Sequence, residues 1–331
     1  MTPVRGGRAA PHRETAGRDM SMRSSRRELR RIGVGLLFAS PWLVGFLALT
    51  VYPSLASLYY SFNSFNTLQA PTWVGFDNFS TLFLNDPLFW TAVKNTLYMT
   101  LVGVPVNIVL SLALALLLNQ NRRGVTVYRA MIYAPVVVPP VVTSIIWVWI
   151  LNPENGLLDQ VLGFLHLPQP GWFTDPSWSK PALLILLTWG LGQTMVILLA
   201  GLQDVPQHLY EAAMIDGASQ ARRFWHVTLP MLSPVIFYNV VVGVIFSLQL
   251  FTQAFVTAGG GLCYGGSGNC LGAPLNSTLL YGIYLYQNAF AYFKMGYASA
   301  MAWLLFAVTV IATLLLFRFT RGLVHYEGAA R

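Results

Sequence analysis

The sequence predicts an all-α polytopic membrane protein with six transmembrane helices, and three observations carry that prediction. The 331 residues are 55% hydrophobic but only 10% charged, against about 25% charged in an ordinary soluble domain. Six apolar stretches, at about 33–62, 88–118, 130–151, 181–201, 231–257 and 297–317, each reach the roughly 20 residues a helix needs to cross a bilayer. The period-2 alternation of a membrane barrel strand is absent.

The basic head, residues 1–31, holds nine Arg and little that could be buried, so it is read as a disordered, lipid-facing cytoplasmic tail. The apolar run behind it is about 30 residues long, beyond the roughly 7–15 of a signal-peptide core, and it lacks a small-residue cleavage site. An uncleaved first span is expected. Positive charge then orients the bundle. The stretch 119–129 holds three Arg, 202–230 two and 318–331 three, whereas the alternate connections hold only Lys180 and Lys294. Positive residues stay inside, which places both termini and the 202–230 loop in the cytoplasm. The net charge of +8 is thereby assigned to topology rather than to nucleic acid.

The outer connections are long and aromatic. In the second, Leu157, Leu158, Val161, Leu162 and Leu165 recur at helical spacing, predicting a short amphipathic helix on the outer membrane surface. Tyr281, Tyr284, Leu285, Asn288 and Tyr292 predict another before the last span. The third connection also holds the chain's two cysteines, Cys263 and Cys270. In an oxidising compartment a disulfide between them is the expectation, and two free thiols the alternative.

Pro41, Pro53, Pro105, Pro135, Pro139 and Pro140 lie inside the apolar stretches. Such prolines are tolerated where neighbouring helices or a water-filled cavity satisfy the freed backbone groups, so kinked helices around a pathway are expected. Only Lys94 is charged within the spans, and no Asp, Glu or His occurs there. Ion-coupled carriers usually need such groups for their relay, so energy is expected to enter from elsewhere. A stand-alone channel or ion-driven carrier is the alternative. No catalytic, metal-binding or phosphate-loop constellation marks the chain as an enzyme, and no cofactor site is predicted in it.

Between the fourth and fifth spans lies Glu211-Ala-Ala-Met-Ile-Asp-Gly217, nine further residues, then Val227-Thr-Leu-Pro230. The segment reads as helix, turn, helix. Asp204 is expected to cap the first helix, Pro206 to sit in its first turn, and Gly217 to adopt the left-handed turn conformation. The second helix is expected over residues 218–227, with Leu229-Pro230 opening the fifth span. Small Ala212 and Ala213 let another protein approach the helix closely, and Glu211 offers that protein a carboxylate.

This spacing closely resembles the cytoplasmic coupling loop of ABC importer permeases. Over residues 31–328 the chain resembles the carbohydrate-uptake branch, with maltose- and glycerol-phosphate-type members. Val74-Gly-Phe-Asp-Asn-Phe79, Asn155-Gly-Leu-Leu158 and Gly296-Tyr-Ala-Ser-Ala-Met-Ala-Trp303 carry the likeness beyond the loop. Val227 stands where the family pattern has Ile, and the large periplasmic insertion of the maltose-type member is missing.

The resemblance implies a type I permease bundle over 32–320, flanked by the 1–31 tail and a cytoplasmic 321–331 tail. It implies a second permease subunit, usually a different chain, and an ABC ATPase dimer that binds ATP and Mg. It also implies an extracytoplasmic solute-binding protein and residence in the bacterial inner membrane. Glu211, Ala212, Ala213, Asp216, Gly217, Leu229 and Pro230 become the ATPase-coupling residues. The uncharged spans favour a neutral sugar or oligosaccharide over glycerol phosphate or another small polar solute. Ser144, Trp147, Trp189, Gln193, Asn239, Ser247 and Gln249 are the candidates along its pathway, with interhelical packing as the alternative role for each.

Overall fold

A computed structural model describes residues 34–120, 123–258 and 271–320. The chain divides into two units, Met1–Tyr59 and Tyr60–Arg331. The head, the tail beyond residue 320 and the cysteine pair Cys263 and Cys270 lie outside the described residues.

Four helices are long and apolar enough to cross a membrane: α1 (Val34–Ser61), α3 (Pro87–Leu118), α10 (Gln220–Leu248) and α13 (Met295–Thr320). Two bent pairs complete the six expected spans if each pair is counted once. These are α4 (Val125–Val137) with α5 (Pro140–Ile150), and α7 (Ser179–Thr188) with α8 (Gly192–Gln203).

The bend between α4 and α5 is 102°, far sharper than the kink expected of one helix over 130–151. Val138 and Pro139 are both extended there, because a proline ring clashes with a helical residue before it and each of these residues precedes a proline. The fifth span also departs from expectation. It ends at Leu248 rather than near residue 257; the chain breaks at Gln249–Phe251 and resumes as short α11 (Thr252–Thr257).

The end of the bundle at which α3 begins is held by polar contacts. The carboxylate of Asp86 caps α3, accepting from the backbone N–H of Leu88 and Phe89 at 3.0 and 3.1 Å. About two turns further along, Asn95 donates to the carbonyls of Asn276 and Leu279 and accepts from Lys180 Nζ at 3.0 Å. A two-stranded ribbon pairs β1 (Asn63–Ser64) with β2 (Thr72–Trp73). Helix α2 (Asp77–Ser80) follows, and Asn78 from it donates to the carbonyls of Ser61 and Asn63 at 2.9 and 3.0 Å. Gly296 packs on the same ribbon: a Cβ there would lie 2.0 Å from the Asn63 carbonyl oxygen. Two of the outlying motifs therefore clamp one small structure.

In the connection between α5 and α7, α6 (Leu157–Phe164) does not keep its five apolar residues on one face. Leu158 and Leu162 pack with Leu151, Trp172 and Ala182, whereas Leu157, Val161 and Leu165 are exposed. Asp159 is buried among them and accepts from Trp172 Nε1 at 2.8 Å. The tyrosine-rich approach to the last span is helical as expected: α12 (Tyr281–Tyr286) runs on into a π-helical turn, Gln287–Ala291.

Glycines set how closely the spans approach. A Cβ on Gly103 would lie 3.1 Å from Leu184, and one on Gly243 would lie 3.1 Å from Val104. These glycines bring α7 and α10 against α3.

Candidate functional site

The polar segment after α8 folds as a hairpin. Pro206 is extended and stands at the N-cap of α9 (Gln207–Ile215). Asp204 does not cap α9 as expected, because Pro206 turns the chain only after it; Asp204 closes the C-terminus of α8 instead. No residue of α9 is buried. Glu211 and Ala212 are exposed and Ala213 half-buried, while Met214 and Ile215 add an apolar edge. Among the described residues Glu211 makes no side-chain hydrogen bond or ion pair.

Helix α9 ends in a Schellman motif. Gly217 takes φ +74°, its N–H bonds to the Met214 carbonyl at 3.0 Å, and the Ala218 N–H bonds to the Ala213 carbonyl at 2.9 Å. Asp216, exposed, is the C-cap residue before it. Ser219 then caps the next helix, accepting from the Arg222 N–H at 3.4 Å.

That next helix is not the separate piece the sequence suggests. It runs unbroken from Gln220 to Leu248 as α10, 29 residues. Pro230 has no N–H to give and its ring crowds the carbonyl four residues back. The helix widens just before it into a π-helical turn, Phe224–Thr228, and continues. Leu229 and Pro230 are half-buried inside this helix rather than at its start.

Toward its other end α10 forms one wall of a cavity of about 620 Å³. Helices α3, α7 and α8 supply further walls, and the break at Gln249–Phe251 closes one side. Three interruptions of regular helix meet at this space, represented by Pro140, by Thr188 with Gly190, and by Gln249 with Leu250. Non-helical backbone at membrane depth is tolerated where it lines such a cavity.

Gln193, Asn239, Ser247 and Gln249 all line the cavity. Ser144, Trp147 and Trp189 do not. Ser144 is buried and donates to the Pro140 carbonyl at 2.7 Å, and the two indole rings meet edge to face with centroids 5.6 Å apart. The cavity also takes in Asn107, Gln253, Tyr238 and Phe251, which the sequence did not single out. Asn107 sits two residues beyond Pro105 in a span that gave no other polar signal at that depth. Gln253 sat near the end of an expected span that in fact breaks before it.

Among the described residues, none that lines the cavity is charged, and five carry side-chain amides. Asn239 donates to the Val235 carbonyl at 2.8 Å, which leaves its oxygen as an acceptor. Amides, hydroxyls and aromatic faces together suit a solute rich in hydroxyl groups.

Residues 107–325 match the family model of the binding-protein-dependent transport system inner membrane component. The chain belongs to this family. A probable ABC transporter permease of Bacillus subtilis, YesP, is 38% identical over 93% of this chain and 97% of its own length. The lactose transport system permease protein LacF of Rhizobium radiobacter is 32% identical over 86% of this chain and 92% of its own length. A chain from the crystal structure of a bacterial ABC transporter that imports the acidic polysaccharide alginate superimposes with a TM-score of 0.73. It is 22% identical and covers 90% of this chain and 98% of its own, a likeness of fold. This chain is thus a membrane permease component.

Proposed function

We propose that this permease is half of the pathway of an ATP-driven importer, and that its solute is a neutral sugar or oligosaccharide. One observation carries the reading: the exposed Glu211–Gly217 hairpin leads directly into the helix that walls the cavity. A partner that moves the hairpin moves a cavity wall.

An ABC ATPase dimer binds ATP and Mg and docks on the hairpin. Glu211, Ala212, Ala213 and Asp216 form the docking surface, Gly217 makes the turn, and Leu229 and Pro230 pass the movement along. A second permease subunit, usually a different chain in the family the sequence resembles, completes the pathway. An extracytoplasmic binding protein delivers the solute. Both termini and the hairpin face the cytoplasm, which the Arg bias supports, and residues 1–31 and 321–331 are tails outside the 32–320 bundle.

Gln193, Asn239, Ser247 and Gln249 contact the solute from this chain. The uncharged lining supports a neutral solute, since a buried acid group would demand a cation or helix N-termini. The lactose permease among the relatives supports a saccharide.

Purification of the assembly with its ATPase and binding protein, reconstituted in proteoliposomes, tests this. The intact complex is expected to hydrolyse ATP faster when the binding protein carries a saccharide. Glu211→Lys and Gly217→Pro are expected to abolish that stimulation while the chain still inserts in the membrane. Normal transport in both variants would sink the coupling assignment.

A further inference from the structure

We propose that the hydroxyl pair Tyr210–Thr228 transmits movement of α9 to α10, making both positioning residues for coupled transport. The inference rests on the coupling reading above and adds a named mechanical link to it.

Helix α9 has no buried residue, so packing alone holds it weakly to the bundle. Among the described residues, one side-chain hydrogen bond leaves it: Tyr210 Oη meets Thr228 Oγ1 at 3.0 Å. Tyr210 directly precedes Glu211, and adjacent helix positions diverge by about 100°. Tyr210 is half-buried, while Glu211 is exposed. The docking residue and the anchoring residue are therefore neighbours in sequence on different faces.

Thr228 is 5% exposed, so water cannot readily replace a lost partner. It is the last residue of the π-helical turn in α10. Asn239, on the cavity wall, lies eleven residues further along the same helix, about 17 Å at helical rise. The other route from α9 to α10 is the backbone turn through Gly217, a position with no Cβ and no packing around it. A push on α9 can be absorbed by rotation in that turn. The Tyr210–Thr228 bond closes the hairpin into a ring, so that α9 and α10 move as one body.

The test uses the full complex with its ATPase and binding protein in proteoliposomes. Spin labels at Gln207→Cys and Trp225→Cys, in a Cys263→Ser/Cys270→Ser background, report the distance across the hairpin. With Tyr210 and Thr228 intact, that distance is expected to stay narrow with and without ATP plus vanadate. Tyr210→Phe and Thr228→Val are expected to broaden it. They are also expected to lower the binding-protein-stimulated kcat for ATP about tenfold, with KM for ATP and ATPase retention unchanged. Thr228→Ser, which keeps the hydroxyl, is expected to restore both readouts, and the double variant to be no worse than either single change.

An unchanged distance and kcat in both variants overturns the transmission role alone. Loss of ATPase retention in both also overturns it, because the pair would then only fold the hairpin. An unsubstituted chain that retains no ATPase overturns the coupling reading itself.

Discussion

Tyr284 donates its phenolic hydroxyl to Asp86 Oδ2, joining the helix before the last span to the cap of the second. Tyr297, two residues into α13, donates to the same oxygen. The other oxygen of Asp86 caps two backbone N–H groups, so one carboxylate ties three segments together where α3 begins. Asp86→Ala is expected to lower stability by about 2–4 kcal/mol, through loss of the cap and of both hydroxyl partners. Asp86→Asn, which keeps an oxygen, should cost less. Thermal unfolding of the detergent-purified chain measures both.

The same contact predicts an alkaline pH dependence. Burial, with the Asp86 carboxylate beside it, pushes the Tyr284 hydroxyl above the ordinary tyrosine range. A group raised in this way contributes stability that is fully present below the unfolded value, near 10. That stability is lost as pH climbs from there towards the higher folded value. Tyr284→Phe should flatten the loss of melting temperature above about pH 10, and an unchanged slope would refute the link.

Gly217 gives a third test. Its φ of +74° is costly for any residue with a Cβ, although nothing crowds the site. Gly217→Ala should cost about 1 kcal/mol of hairpin stability and Gly217→Asn less, because Asn tolerates the left-handed region. The order Gly, Asn, Ala should reappear in binding-protein-stimulated ATP hydrolysis. An Ala variant as active as the parent would argue against the turn's role.

At Gly192 the constraint is space rather than angle. A Cβ there would lie 2.5 Å from the Ile132 carbonyl oxygen and 2.8 Å from the Tyr133 Cα, both backbone atoms. Gly192→Ala must therefore separate α8 from α4, at a cost of about 1–3 kcal/mol. A lower melting temperature, together with altered transport, is the expected result. Gly190→Ala, whose nearest neighbour would be 3.6 Å away, is the control for melting temperature alone, because Gly190 lines the cavity.

The cavity gives the last prediction. Gln193→Ala and Asn239→Leu should each raise the KM for solute about fivefold, the value of roughly one hydrogen bond. Retention of the ATPase should not change. Ser144→Ala, which alters a side chain outside the cavity, should leave KM unaltered.

Much of this protein follows from local pattern. Apolar runs of spanning length force helices, because a bilayer leaves backbone groups no partner but each other. The left-handed turn at Gly217 could be read from the residue itself, since few others adopt that conformation cheaply. Such features depend on residues within a turn or two of one another, and the linear order carries them.

Long-range packing decided the rest. Pro139-Pro140 announced an irregularity, but only neighbouring helices could set a 102° bend rather than a kink. Pro230 looked like the start of a span, yet a π-helical turn absorbs it and joins the hairpin to the cavity wall. Trp147 and Trp189 looked like pathway aromatics and face each other instead, whereas Asn107 and Gln253 reach the cavity. Which side of a uniformly apolar helix faces a neighbour leaves no period in its sequence. That choice is made by the glycines and side chains of other spans, and only the folded chain brings them together.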